Sequence, residues 1–214
     1  MPSIDVAHCK KQFEQELQHI NNFMGEAKSF KIEVNSGIYR SLSIRTFEMI
    51  TGLQFLRMHL AWEEFLESVF IRYICGCSSP SGLSPTLLKT KERCVADATR
   101  TLFGTSRFLS WTPRETIDRA NVYLDKGEPF STAIGSAWHP LECIYVIRNR
   151  FAHRSEYAKE RFKEVARREL GYNAQGMTPG RFLLTEKTLG RGVRKTYFQY
   201  YSEILLILSS GVVP

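Results

Sequence analysis

The segment from about Leu42 to Ile74 has the periodicity of a helix and is apolar on most of its sides. One face carries large side chains at three- and four-residue steps: Phe55, His59, Trp62, Leu66, Val69 and Tyr73. A second set covers much of the remaining surface: Leu53, Leu56, Leu60 and Phe70. Such a helix is buried on most sides by other helices. The sequence therefore predicts a helical bundle centred on this segment, with a kink at Thr51–Gly52.

Other segments have the spacing of amphipathic helices or the composition of turns. Helices are predicted at about 4–30, 86–103, 113–124, 140–151 and 156–170, and a last one is capped by Thr196. Turns or loops are predicted at Val34–Gly37 and 76–85, and Arg181–Thr185 is read as a short strand or extended piece. The predicted fold class is all-α, with an irregular insertion around 76–138 and a short extended segment near 180–186.

Length and composition indicate one globular domain over residues 1–214. The chain is 43% hydrophobic and 12% aromatic, which is typical of a folded protein with a full core. Its five cysteines are odd in number, and Cys75 and Cys77 are too close for a CxxC metal site. We find no signal peptide and no membrane-spanning apolar run, so we expect a cytoplasmic protein with free thiols and no membrane partner.

The segment Ile147–Arg154 concentrates polar chemistry in the last turns of a helix that Pro140 can begin. Arg148 lies beside the apolar stripe of this helix, whereas Asn149 and His153 are four residues apart and share another face. A fixed cation, an amide and an imidazole suit a negatively charged oxygen whose neighbour must gain or lose a proton. We therefore identify this segment as the candidate site.

The pattern Arg148-Asn-x-x-x-His153 resembles the Arg-x4–6-His signature of the HEPN superfamily. A second block, Ala61–Glu67, resembles the early long helix of these proteins, where a polar or acidic residue faces the motif helix. The resemblance covers roughly residues 47–70 and 141–157. It implies an all-α bundle, and many HEPN proteins are endoribonucleases that need neither a metal nor another cofactor.

The resemblance implies RNA cleavage to a 2′,3′-cyclic phosphate and a 5′-hydroxyl. His153 would move a proton, Arg148 would stabilise charge on the phosphorane, and Asn149 would orient a phosphate oxygen or His153. Glu63, or Glu67 one turn later, would position Arg148, although both carboxylates could instead lie at the solvent edge. The RNA-binding residues are expected to be Arg150, Arg154 and Lys159.

The segment Arg148–Arg168 carries eight basic residues against three acidic ones, in a chain of net charge +7. This excess favours a polyanionic partner, but a solvated helix face laced with ion pairs explains it equally well. The chain has one such motif and one motif histidine, whereas family dimers set two motifs face to face. We therefore expect a homodimer through the Arg148–His153 edge.

Several alternatives stay open at this stage. One is a HEPN module without catalysis that binds nucleotide, RNA or a protein partner. Another is a toxin with an antitoxin or defence-system partner; such toxins carry a tyrosine two residues after the histidine, where this chain has Ser155, and Tyr157 is the nearest. His139 and Cys143 have the spacing of metal ligands, but no third ligand is evident, so no metal is expected.

Overall fold

The computed structural model describes residues 5–35 and 38–214, and this part of the chain is mostly helical. Its α-helices are α1 (Val6–Ala27), α2 (Ile44–Ile74), α3 (Val95–Phe103), α4 (Pro113–Tyr123), α5 (Phe130–Ser136), α6 (Trp138–Ala152), α7 (Glu156–Leu170), α8 (Pro179–Leu184) and α9 (Tyr197–Val212). Two antiparallel hairpins pair β1 (Lys31–Asn35) with β2 (Ile38–Ser41), and β3 (Glu186–Thr188) with β4 (Arg194–Thr196). The all-α prediction is confirmed.

The chain divides into two compact units, and the boundaries fall inside four of the helices. The first unit comprises Met1–Gln15, Leu60–Glu142 and Ile204–Pro214, and the second comprises Glu16–His59 and Cys143–Glu203. The prediction of one domain over residues 1–214 stays a prediction.

The core of the first unit is aromatic. Phe13 stacks on Phe65 at a centroid distance of 4.9 Å, and Trp62 packs against both rings. Trp62 is 3% exposed, which confirms its predicted burial. A second ring cluster joins Phe70 of α2 to Trp111 before α4 and to Phe130 of α5. The insertion around 76–138 therefore contributes three helices and part of the core.

One helix prediction in the insertion is wrong over its first half. Residues 86–94 are not helical, and α3 begins only at Val95. The start of this stretch, residues 86–88, pairs with the end of α4 instead: Leu88 N–H donates to Tyr123 O at 2.9 Å, and Asp125 N–H donates to Thr86 O at 2.8 Å. Leu88 is 56% exposed, so it does not belong to a core stripe.

The second unit also has an aromatic core. Phe162 of α7, Phe182 of α8 and Tyr197 of α9 pack in sequence, with Phe182 and Tyr197 stacked at 4.3 Å. The short strand predicted at Arg181–Thr185 is wrong, because Thr178 caps a helix whose first residue is Pro179. The extended segment lies later, at β3.

The helical part of the N-terminal prediction is confirmed from Val6, whereas Ile4 lies outside the described residues. The predicted turn at Val34–Gly37 is only partly described: Val34 and Asn35 belong to β1, and residues 36 and 37 lie outside the described part of the chain. The hairpin formed by β1 and β2 was not predicted from the sequence. Among the described residues, no helix is both long and apolar enough to span a bilayer.

α2 runs without interruption through Thr51–Gly52, where a kink was predicted. Its predicted core face is buried throughout, from Phe55 to Tyr73. Of its second apolar set, Leu53 and Leu60 are 58% and 53% exposed, whereas Phe70 is fully buried. α2 is therefore covered on most sides, as predicted, and open along one strip that includes Leu53 and Leu60.

Candidate functional site

The candidate site lies where α6 ends and α7 begins, in the second unit. His153 follows the last residue of α6, and its N–H donates to Asn149 O at 2.8 Å, which closes the final helical turn. Ser155 then caps α7 by accepting a hydrogen bond from Ala158 N–H at 3.2 Å. Only three residues join the helices, so the position of His153 is fixed from both sides.

Phe151 anchors the end of α6 to α2. Its ring lies against Gly52, where a Cβ atom would come within 2.8 Å of Cζ, and its centroid is 6.3 Å from that of Phe55. The glycine thus provides room for the ring. Phe151 belongs to the apolar stripe of this helix, which its spacing predicts to be a buried core face. It is only partly buried, because the helix ends one residue later.

Arg148, Asn149 and His153 are arranged along one edge of this helix end. The Arg148 guanidinium donates from Nη1 to Asn149 Oδ1 at 3.1 Å, which draws it toward the face that Asn149 shares with His153. Arg148 and Asn149 are partly buried and His153 is exposed. Asn149 therefore orients Arg148, a role that the sequence reasoning did not assign. That Arg148 and His153 contact one phosphate stays a prediction.

The predicted RNA-binding cations lie at the end of α6, on the connection and on the first turn of α7. Arg150 Nη1 donates to His153 O at 3.1 Å and so holds the connection in place. Arg154 is exposed on the connection itself. Lys159 lies on the first turns of α7, where its ammonium group contacts Glu156 at 3.0 Å.

The predicted carboxylates lie on the part of α2 that belongs to the first unit. Glu63 and Glu67 are both partly buried, so neither is a fully solvated surface group. Glu67 Oε2 accepts a hydrogen bond from Trp111 Nε1 at 3.1 Å. Glu67 therefore satisfies the indole N–H of Trp111. The pairing of Glu63 with Arg148 would join residues of different units, and it stays a prediction.

Another carboxylate on α2, that of Glu48, was missed by the sequence reasoning. It is 8% exposed and accepts hydrogen bonds from Arg181 Nε at 2.9 Å and from Thr178 Oγ1 at 2.7 Å. Gly180 lies directly against the Glu48 backbone, where a Cβ atom would come within 2.8 Å of the carbonyl carbon. These contacts fix the N-terminus of α8. They could not be predicted from the sequence, because its periodicity relates only residues that are close to each other in the chain.

A groove of about 750 Å³ extends from the candidate site along α7. We call it the α7 groove. One side is formed by α7 and the other by the segment 173–179, with Arg150 also in the lining. Its ionised side chains are those of Arg150, Lys159, Glu160, Lys163, Glu164 and Arg167. The lining therefore carries an excess of positive charge, and one of its cations, Arg150, contacts the backbone of His153.

Cys143 lies away from this groove, in a polar cluster between α6 and α7. Its Sγ is 3.8 Å from Glu169 Oε1, and Arg168 Nη2 lies 3.4 Å from the sulfur. Burial raises the pKa of the Cys143 thiol, and the charge of Glu169 raises it further. The other Glu169 oxygen accepts from Lys187 at 2.8 Å. A carboxylate beside Cys143 was not evident from the sequence, and the thiol is protonated at neutral pH.

His59 is 4% exposed, and its ring centroid lies 6.4 Å from that of Tyr145. It is therefore a buried core residue, as predicted.

Comparisons with known protein families, curated proteins and solved structures give no match for this chain. The interpretation of the site thus depends on its own residues.

Proposed function

We propose that the protein is a metal-independent endoribonuclease of HEPN type that acts in a toxin or defence context. The observation that carries this proposal is the hydrogen bond from Arg148 to Asn149 at the end of α6, with an exposed His153 on the same face. A guanidinium that is already oriented can receive a phosphate with little further ordering. An exposed imidazole can reach the oxygen whose proton must move.

The reaction is an internal transesterification. The 2′-oxygen of the RNA attacks the adjacent phosphorus, the bond from phosphorus to the 5′-oxygen breaks, and a 2′,3′-cyclic phosphate and a 5′-hydroxyl form. A base takes the proton of the 2′-hydroxyl and an acid gives a proton to the leaving 5′-oxygen. His153 performs one of these transfers, and Arg148 stabilises the negative charge of the phosphorane.

A homodimer would supply the second proton-transfer group. Each chain contributes one His153, and a two-fold axis beside it places an acid and a base on opposite sides of the phosphorus. An exposed apolar strip of α2 supports this arrangement. Met49 and Leu53 are 61% and 58% exposed, and they flank Gly52, which contacts Phe151 of the motif helix. A second copy of the chain is the occupant that we assign to this strip.

Cleavage of a labelled single-stranded RNA by the purified protein in EDTA tests the proposal. We expect wild type to cleave and His153→Ala to lose activity by at least about a hundredfold, as general acid–base groups contribute that much. His19→Ala is the matched control, because His19 is an exposed histidine of α1. Equal activity of the His153→Ala and His19→Ala variants would overturn the proposed site.

Mixing wild-type and His153→Ala chains tests the dimer. If both histidines are needed, activity falls faster than the fraction of wild-type chains. A strictly proportional fall would show that each chain works alone. If the wild-type protein binds RNA but does not cleave it, the alternative of a HEPN module without catalysis would be supported instead.

A further inference from the structure

The α7 groove has two walls of different chemistry. On the α7 wall, Lys159, Lys163 and Arg167 are spaced four residues apart and so form one stripe with steps of about 6 Å along the helix axis. A row of cations at regular steps suits a chain that carries one phosphate per unit. This wall therefore fits a sugar-phosphate backbone.

The cations of this wall have carboxylate neighbours that a phosphate can displace. Lys163 contacts Glu160 at 2.7 Å and Lys159 contacts Glu156 at 3.0 Å, and each pair is separated by three residues on an exposed helix face. Exposed ion pairs of this kind contribute little free energy. They keep the lysines along the wall without preventing the binding of a more highly charged ligand.

The opposite wall is formed by the segment 173–179 and is neutral. Asn173 and Gln175 bring exposed amides, and Met177 adds a polarisable apolar side chain. Amide groups can donate to and accept from the edges of unpaired bases, and apolar side chains can contact base faces. The segment is held against α2 through Glu48, Arg181 and Gly180.

We infer that single-stranded RNA binds along the α7 groove, with its phosphates on the α7 wall and its bases against the 173–179 segment. This rests on the proposed function and names the path of its substrate. Arg150 lines the groove and contacts the backbone of His153, so a bound strand leads to the reacting histidine. A duplex hides its base edges from a side wall, and a concave groove with two unlike walls therefore fits one strand.

Binding is measured by fluorescence anisotropy of a labelled single-stranded RNA, with all variants in the His153→Ala background so that the strand stays intact. The groove pair is Lys163→Gln with Arg167→Gln. The matched control pair is Arg57→Gln with Arg194→Gln, which removes the same charge from exposed arginines of the same unit that pair with Glu16 and Glu186, outside the groove.

We expect the groove pair to weaken binding about tenfold relative to the control pair. We also expect the slope of log K against log salt to fall by about 1.4, since each lost contact to a single strand removes about 0.7. Equal weakening by both pairs would overturn the inference, because only net charge would then matter. Duplex RNA that binds as tightly as the single strand, or no detectable RNA binding, would also overturn it.

The outcome separates the groove from the chemistry. If the chain with His153 does not cleave RNA but the groove pair still weakens binding, the proposed function fails and the groove stands. If the chain cleaves RNA and the groove pair binds like the control pair, the function stands and this path for the substrate is wrong.

Discussion

Replacement of Gly52 by alanine tests the packing that holds the end of α6. The new Cβ atom would lie 2.8 Å from Cζ of Phe151, and closer still to Cε1. Real Cβ atoms do not come this close to other atoms, so the ring must move. Because Phe151 is two residues from His153, its displacement also disturbs the candidate site.

The expected magnitude follows from two opposing terms. Forcing an extra methyl group into a packed contact costs about 1–3 kcal/mol. Alanine in the interior of a helix stabilises it by about 1 kcal/mol relative to glycine. Gly52→Ala should therefore lower the free energy of unfolding by between about 0 and 2 kcal/mol. Gly25→Ala in α1 is the control, since its Cβ would meet nothing within 4 Å and only the favourable term remains.

The assay is denaturant unfolding followed by circular dichroism, with both variants measured beside wild type. The stabilities of the two variants should differ by about 1–3 kcal/mol in favour of Gly25→Ala. Adding Phe151→Leu should relieve the crowding, so that Gly52→Ala becomes stabilising in that background. If Gly52→Ala stabilises wild type as much as Gly25→Ala does, the packing of Phe151 on Gly52 is refuted.

Three further predictions address stability and assembly. Arg181→Gln leaves the buried Glu48 carboxylate without its cation and should cost about 1–3 kcal/mol in denaturant unfolding, whereas Arg194→Gln at an exposed pair should cost at most about 0.5 kcal/mol. Burial raises the pKa of the Cys75 thiol from 9.0 to about 11, so the stability that the protonated thiol contributes is complete below pH 9 and is lost as the pH rises through about 11. Cys75→Ala should reduce this loss of stability at alkaline pH in thermal melts, and an unchanged dependence on pH would contradict the prediction. Leu53→Lys should shift the protein toward monomer in sedimentation equilibrium and reduce RNA cleavage, and an unaltered dimer would exclude the exposed strip of α2 as the interface.

Elements with local signals could be predicted from the sequence. α7 has the predicted bounds, because Ser155 caps its N-terminus and Gly171 ends it with a φ of 77°, a conformation that favours glycine. Thr196 likewise caps α9 as predicted, since its Oγ1 accepts from Gln199 N–H at 3.2 Å. Caps and periodicity are set by neighbouring residues, so they are visible in a single sequence.

Elements that depend on distant partners could not be predicted in this way. Residues 86–88 pair with the end of α4, a distant partner, whereas the periodicity of the sequence predicted a helix over 86–103. The neutral wall of the α7 groove is fixed by Gly180 and Arg181 on Glu48. The sequence therefore indicated the cations of the candidate site but not the second wall of its groove.

Mass spectrometry of the products of a defined RNA oligonucleotide, incubated with the protein in EDTA, tests most directly whether Arg148 and His153 cleave RNA by transesterification. We predict a 2′,3′-cyclic phosphate on one fragment, a 5′-hydroxyl on the other, and no cleavage where the 2′-hydroxyl at the cut site is replaced by hydrogen. Cleavage of that deoxy substrate, or the same products from His153→Ala at the wild-type rate, would contradict the account.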